Sequence, residues 1–270
     1  MSWPPETVVL GLNLAVITGA CSLTILRGIP PLDLFLDPFV IAAGLLTFPI
    51  GTGLYYISSV WFRNRAALAA QFAQVKPIIT ISFGLLVFSE VLNVWSILAA
   101  GVITLGIATL VYGVIQKHTS LGVMFFGFML ACAWGLGEVA VRFAGQFGRF
   151  DIAHASLVAA ILPTIAIWGV VRIIRRNEPV SWPDKTTLIA FSAHGIMSFG
   201  GAYFFFFASI SLHGLSHTVL ITTFWPVLAI VISYVLDRTT LQNLSTETMV
   251  AMTLFTIGSF LHVTGAVLGR

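Results

Sequence analysis

The chain is predicted to be an all-α integral membrane protein, a bundle of about nine transmembrane helices in two related sets. Three observations predict it. Of its 270 residues, 58% are hydrophobic and 9% charged, and the mean hydropathy is +0.99; that composition belongs to chains dissolved in lipid. The apolar residues fall into segments of about twenty, the number that crosses ~30 Å of hydrocarbon as a helix. The order of those segments recurs after 149 positions.

The first segment, 7–26, follows Pro4-Pro5, and the second, 39–62, is rich in glycine and aromatics (Gly51, Gly53, Tyr55, Tyr56). A polar RNR turn leads to the third, 66–88, which carries Lys76-Pro77 near its middle; SEVLN then leads to the fourth, 94–115, and QKHTS to the fifth, 121–143. The sixth, 153–171, is followed by the longest polar stretch, Arg172 to Lys185. The seventh, 186–208, again has paired glycines (Gly200, Gly201) and aromatics. SLHGLSH precedes the eighth, 217–236, centred on Pro226, and DRTTLQNLST precedes the ninth, 247–268. Connections this short place consecutive helices antiparallel. Glycines inside spans let helices approach closely.

A shift of 149 positions lays Pro77 on Pro226, Gly51 on Gly200, and Tyr55-Tyr56 on Phe204-Phe205. Segments one to four thus correspond to six to nine, and the fifth, with Trp134-Gly135, has no counterpart. Repeats of this kind commonly build transporters whose substrate site lies between the repeats at the midplane.

The run AALAAQFAQVKPIITISFGLLVFSEVLNVWSILAAGVITLGIATLVYG resembles the repeat signature of EamA-type transporters of the drug/metabolite transporter superfamily. Its elements are a small-residue helix start, a central proline, an acidic residue (Glu90) and a glycine-rich closing helix. HGLSHTVLITTFWPVLAIVISYVLDRTTL is similar, with Pro226 in place and Asp237 near the acidic position. FFGFMLACAWGLGEVAVRF resembles the first helix of such a repeat through Trp134-Gly135. The resemblance implies ten helices in two inverted five-helix repeats around a central cavity. Here residues 1–116 would form a first repeat lacking its opening helix and 117–270 the second. Either the chain is nine-helical (4+5) or its start is placed too late. Lys76 departs from the pattern, which usually has a small or polar residue before that proline. The implied activity is secondary transport, in the export direction, of a small organic metabolite such as an amino acid or organic anion. It would run by alternating access in a bacterial inner membrane, without a cofactor, with protons as a candidate coupling ion.

Lys76 is the first candidate substrate contact. A lysine midway through a span costs several kcal/mol unless paired, so it marks a functional site; the alternative is a shifted span end with the lysine snorkelling to the interface. A neutral Lys76→Met would then insert as well as the parent or better. Trp134, Glu138 and Arg142 fall four apart on one helix face. Glu138 is either half of an interfacial salt bridge or the counter-ion of Lys76. Gln71 and Gln74 share the segment of Lys76, and Trp225 matches Lys76 across the repeat. His194 faces either the cavity or a backbone carbonyl. Tyr55 and Tyr203 complete the expected substrate-binding set. Pro77 and Pro226 are the expected hinges. Glu90 reads as a solvated turn charge or a cap on the next helix.

Other chemistry is not indicated. His213 and His217 have a spacing that metal ligands use, but in a turn with no acidic or cysteine partner nearby. Cys21 and Cys132 lie in apolar spans and read as small buried hydrophobes. No basic-aromatic patch points to nucleic acid. An integral-membrane enzyme acting on lipid would need clustered acid, base or nucleophile residues at one face, which the chain lacks; a non-transporting scaffold is the third class. Counting positive charges puts the N-terminus in the cytoplasm, whereas the family pattern puts the C-terminus there; the second orientation is preferred, because the charge excess rests largely on Arg172 to Lys185.

Overall fold

In the computed structural model, residues 5–56, 72–116, 121–146, 150–174, 176, 182–228, 231 and 245–268 are described. They are helical almost throughout. Seven helices are long and apolar enough to cross a membrane: α1 (Thr7–Arg27), α2 (Pro38–Tyr56), α4 (Val94–Gln116), α5 (Leu121–Phe143), α6 (Asp151–Ile174), α7 (Lys185–His213) and α9 (Thr246–Val267). Two shorter apolar helices, α3 (Ala73–Leu86) and α8 (Leu215–Leu228), complete the described set. The chain is an integral membrane protein on this architecture. Large apolar side chains such as Phe125, Phe205 and Phe260 stand exposed, as lipid requires.

Local chemistry sets the ends. Asp37 caps α2, accepting from the amides of Phe39 (2.7 Å) and Val40 (3.3 Å), with Pro38 in the first turn. Asp184 caps α7 by accepting from the Thr187 amide at 2.8 Å, and the Thr187 side chain together with that amide holds its carboxyl below the usual range. The turn expected over SLHGLSH shrinks to Gly214 alone. Gly214, at φ 89° and ψ 167°, reverses the chain in a conformation open essentially to glycine. α7 therefore runs to His213 and α8 begins at Leu215.

Two helices widen into π-helical turns. The stretch in α2 starts at Leu46 and that in α7 at Gly195, 149 positions apart. The stretch in α2 contains Pro49, which has no amide to donate. The Thr52 hydroxyl donates to the Thr47 carbonyl, at 3.0 Å. Wide turns of this kind recur at functional sites.

The helix pairings follow from small residues. α1 packs along α7, where Gly19 lies against the Gly195 backbone, and α2 packs along α6, where Gly44 lies against Ser156. α4 and α9 run antiparallel: Gly113 meets Glu247 at one end, Gly106 meets Phe255 midway, and Gly265 meets Trp95 at the other end. Gly106 and Phe255 are themselves 149 positions apart. α3 packs on α8, with Gly84 beside Ser216. One buried cluster joins α1, α2, α5, α6 and α7 through Leu12, Phe48, Val141, Ile152 and Phe207; a second joins α4, α8 and α9 through Ile103, Leu220 and Phe255.

Candidate functional site

Lys76 opens the regular part of α3, after a tight turn over Ala73–Val75. Ten residues follow it before the helix ends at Leu86, about 15 Å of rise or half the hydrocarbon thickness. Its Nζ lies 2.5 Å from Glu138 Oε1 on α5. Glu138 is 3% exposed and Lys76 23%. The pairing that the sequence offered as one of two alternatives for Glu138 is the one present.

Two further groups complete the cluster. Thr80 lies one turn beyond Lys76; its Oγ1 is 3.0 Å from the Lys76 carbonyl and 3.1 Å from Glu138 Oε2. A hydroxyl has one hydrogen, so it serves these acceptors alternately or shares it between them. The ring of Phe206 on α7 sits 5.2 Å from Lys76 Nζ, in cation–π range. Close approach of α3 to α5 is possible because Gly135 faces Ile79 and Thr80. Thr80 and Phe206 were missed in the sequence. The first had a signal, since four residues separate it from Lys76 on one helix face; Phe206 had none, as one of four consecutive phenylalanines.

Trp134, one turn before Glu138, donates from its indole Nε1 to the Thr47 carbonyl at 3.2 Å, at the π turn of α2. Thr47 Oγ1 is buried without a hydrogen-bond partner beside it. Tyr55 lies 6.2 Å from Trp134, ring to ring. Tyr203 packs among Phe48, Phe199, Phe206 and Phe207. Phe206 thus joins the Lys76 cluster, through Tyr203, to an aromatic group that includes Phe48 of α2.

Other expected residues fall elsewhere. Gln71 lies outside the described residues, and Gln74 is half-buried in the turn before Lys76. His194 is an exposed residue, its Nδ1 3.1 Å from Ser198 Oγ; no backbone carbonyl is the partner there. Trp225 is 62% exposed. Pro77 is buried just inside α3, and Pro226 follows the break at Thr223–Phe224. Cys21 is exposed and Cys132 half-buried, so the buried reading fails for both. His213 and His217 lie on different helices, because Gly214 interrupts the spacing of four.

Glu90 is neither a solvated charge nor a cap on α4. It reaches α8, accepting from the amides of Leu215 (2.7 Å) and Ser216 (2.8 Å). Arg142 Nε lies 3.4 Å from Glu90 Oε1, and its guanidinium stands over Phe88. Helix-start amides welcome a carboxylate there. Arg142 therefore serves Glu90, so the face shared by Trp134, Glu138 and Arg142 divides among three partners. At the same end of the bundle Arg27 lies 3.7 Å from Asp151 and over Phe150 and Phe204. A cavity of about 290 Å³ lies apart from all of this, lined by Ile221, His262, Val263, Ala266 and Val267. Lys76 is the better-founded site, because that cavity has one polar side chain in its wall.

No family model matches the chain, and no curated relative does. Eighteen chains of solved structures match. One, described only as "Crystal structure of protein", is 18% identical, with a TM-score of 0.69 over 98% of this chain and 89% of that one. The likeness is one of fold.

Proposed function

We propose that this protein is a secondary transporter of a small anionic or zwitterionic metabolite, built as an inverted repeat and working by alternating access. The observation that carries the reading is the Lys76–Glu138 pair, an ion pair held about midway through the bundle between α3 and α5. Intramembrane charges of this kind are maintained for function, since they are a burden to insertion. A carboxylate arriving at Lys76 takes the place of Glu138, and Glu138 neutralises the lysine when the site is empty. Protons would couple to this exchange through Glu138.

The repeat is supported by several independent features. The π turns start 149 positions apart. α4 and α9 cross antiparallel at Gly106 and Phe255, positions that the same shift relates. The pairings α1 with α7 and α2 with α6 exchange under it. Equivalent helices that run antiparallel are what an axis in the membrane plane produces. The resemblance to EamA-type transporters, with nine apolar helices among the described residues, belongs to the same reading. The Glu90–Arg142 and Arg27–Asp151 contacts close one end, so the route to Lys76 would open first from the other.

The test is uptake and efflux of amino acids and organic anions in proteoliposomes, with and without a pH gradient. Transport of at least one such solute that Lys76→Met abolishes is expected. A full screen with no transport in either direction would overturn the reading.

A further inference from the structure

A second polar cluster lies at the junction of α4, α8 and α9, one residue beyond Glu90's amide contacts on α8. His217 of α8 and His262 of α9 face one another, with ring centroids 5.2 Å apart and planes tilted by 35°. Ser96, fully buried in the first turn of α4, places its Oγ 2.9 Å from His262 Nδ1. His262 is 3% exposed, whereas His217 is half-buried. His262 also lines the cavity of about 290 Å³ between α8 and α9.

Two imidazoles in contact within a low-dielectric junction cannot both carry a charge, so the pair holds one proton or none. Ser96 engages His262 Nδ1, and each neutral ring keeps one nitrogen without a hydrogen that can take a proton up. Charged and titratable groups on the packed elements are few among the described residues. Glu90 sits at the start of α8 and is engaged by Arg142 and by the Leu215 and Ser216 amides. His213 ends α7 and is exposed. Glu138 on α5 belongs to Lys76 on α3, and Glu247 lies at the opposite end of α9, beside Gly113. Among the described residues no carboxylate is therefore placed to balance a charge on the pair, so a proton gained there would stand uncompensated against α4 and α9.

α8 is built to respond. Its first part, Leu215–Thr222, is a short rod bounded by Gly214 at one end and by the Thr223–Phe224 break before Trp225-Pro226 at the other. We infer that His217 and His262, with Ser96, form a proton-binding site that takes up one proton and thereby releases the first part of α8 from α4 and α9. This site is separate from Lys76 and does not depend on what the protein carries.

Hydrogen–deuterium exchange of the protein in lipid nanodiscs at about pH 7.5 and 5.5, with a chelator present, tests it. Rates are divided by the intrinsic chemical rate at each pH. Protection of the Leu215–Thr222 amides is expected to fall about tenfold at the lower pH, the change that one proton taken up on opening by a histidine of ordinary pKa, ~6.5, gives across this interval. His217→Gln and His262→Gln should each flatten that change, while His213→Gln and Glu90→Gln keep it. Should His262→Gln fail to fold, half-buried His217→Gln carries the test alone. Protection of α8 that is independent of pH in the parent overturns the inference. So does a pH response that survives His217→Gln, or one that His213→Gln or Glu90→Gln removes.

Discussion

Lys76 Nζ lies 2.5 Å from Glu138 Oε1, and this contact ties α3 to α5 inside the bundle. It changes what a neutral replacement does. A lone intramembrane lysine would be relieved by Lys76→Met, as the sequence suggested. A paired one leaves Glu138, 3% exposed, with Thr80 as its remaining partner. Removing one half of a buried pair typically costs about 3–5 kcal/mol, whereas replacing both halves by apolar groups is often neutral. Lys76→Met should therefore unfold more readily in detergent than the parent, and Lys76→Met/Glu138→Leu should recover most of the loss. Equal stability of parent and Lys76→Met would mean the pair contributes nothing.

The two ion pairs at one end of the bundle, Arg27–Asp151 and Arg142–Glu90, should differ in weight. Arg27 and Asp151 are 40% and 36% exposed at 3.7 Å, the geometry of a surface pair worth under about 1 kcal/mol. Glu90 is 8% exposed and holds two amides besides Arg142. Glu90→Ala should cost about 2–3 kcal/mol, since charged hydrogen bonds are each worth more than neutral ones. Asp151→Asn should change stability little. Thermal unfolding of both variants side by side decides it, and a larger loss for Asp151→Asn would reverse the ranking.

Gly214 is constrained twice over. Its φ of 89° with ψ of 167° lies where other residues are strained by about 1–3 kcal/mol. A Cβ there would also stand 2.7 Å from Glu90 Oε1. Gly214→Ala should destabilise by more than that strain alone and weaken the Glu90 contact. In the Glu90→Ala background the penalty of Gly214→Ala should shrink, because the carboxylate is gone. A penalty unchanged by Glu90→Ala would show that backbone strain is the whole effect.

Much of the bundle was legible in the chain because lipid imposes one length and one polarity on every span. The proposed repeat rests on pairs the sequence offers, Pro77 with Pro226 and Gly51 with Gly200. Helix ends were less so. Gly214 looked like part of a seven-residue turn, although one residue in an unusual conformation suffices to reverse the chain. Partner choice was the least legible. Spacing put Trp134, Glu138 and Arg142 on one face, but nothing local says that neighbouring helices divide that face between Thr47, Lys76 and Glu90. Likewise His217 carried a spacing to His213, while its real neighbour, His262, lies 45 positions away in sequence.

Orientation follows from the preferred assignment. A reporter fused at Arg270 should show a cytoplasmic C-terminus. An external reading there would make the Arg172-to-Lys185 stretch cytoplasmic and the positive-charge count the better guide.

Transport tests Lys76 apart from stability. If Lys76 binds the anionic group of the substrate, Lys76→Met should lose transport at a protein level matched to the parent. Losing a desolvated charge contact removes about 2–5 kcal/mol of binding, so KM should rise at least tenfold or turnover should vanish. Lys76→Arg keeps the charge but replaces a compact ammonium by a wide planar fork, and beside Phe206 and Glu138 it should restore transport only in part. Glu138→Gln should alter the pH dependence of transport, because the group that exchanges with the substrate can then no longer gain or lose a proton. The double variant Lys76→Met/Glu138→Leu should be stable and inactive, which separates the role of the pair in holding the bundle from its role in carrying a substrate. Active Lys76→Met protein with an unchanged KM would remove the anion site while leaving the helix packing as described.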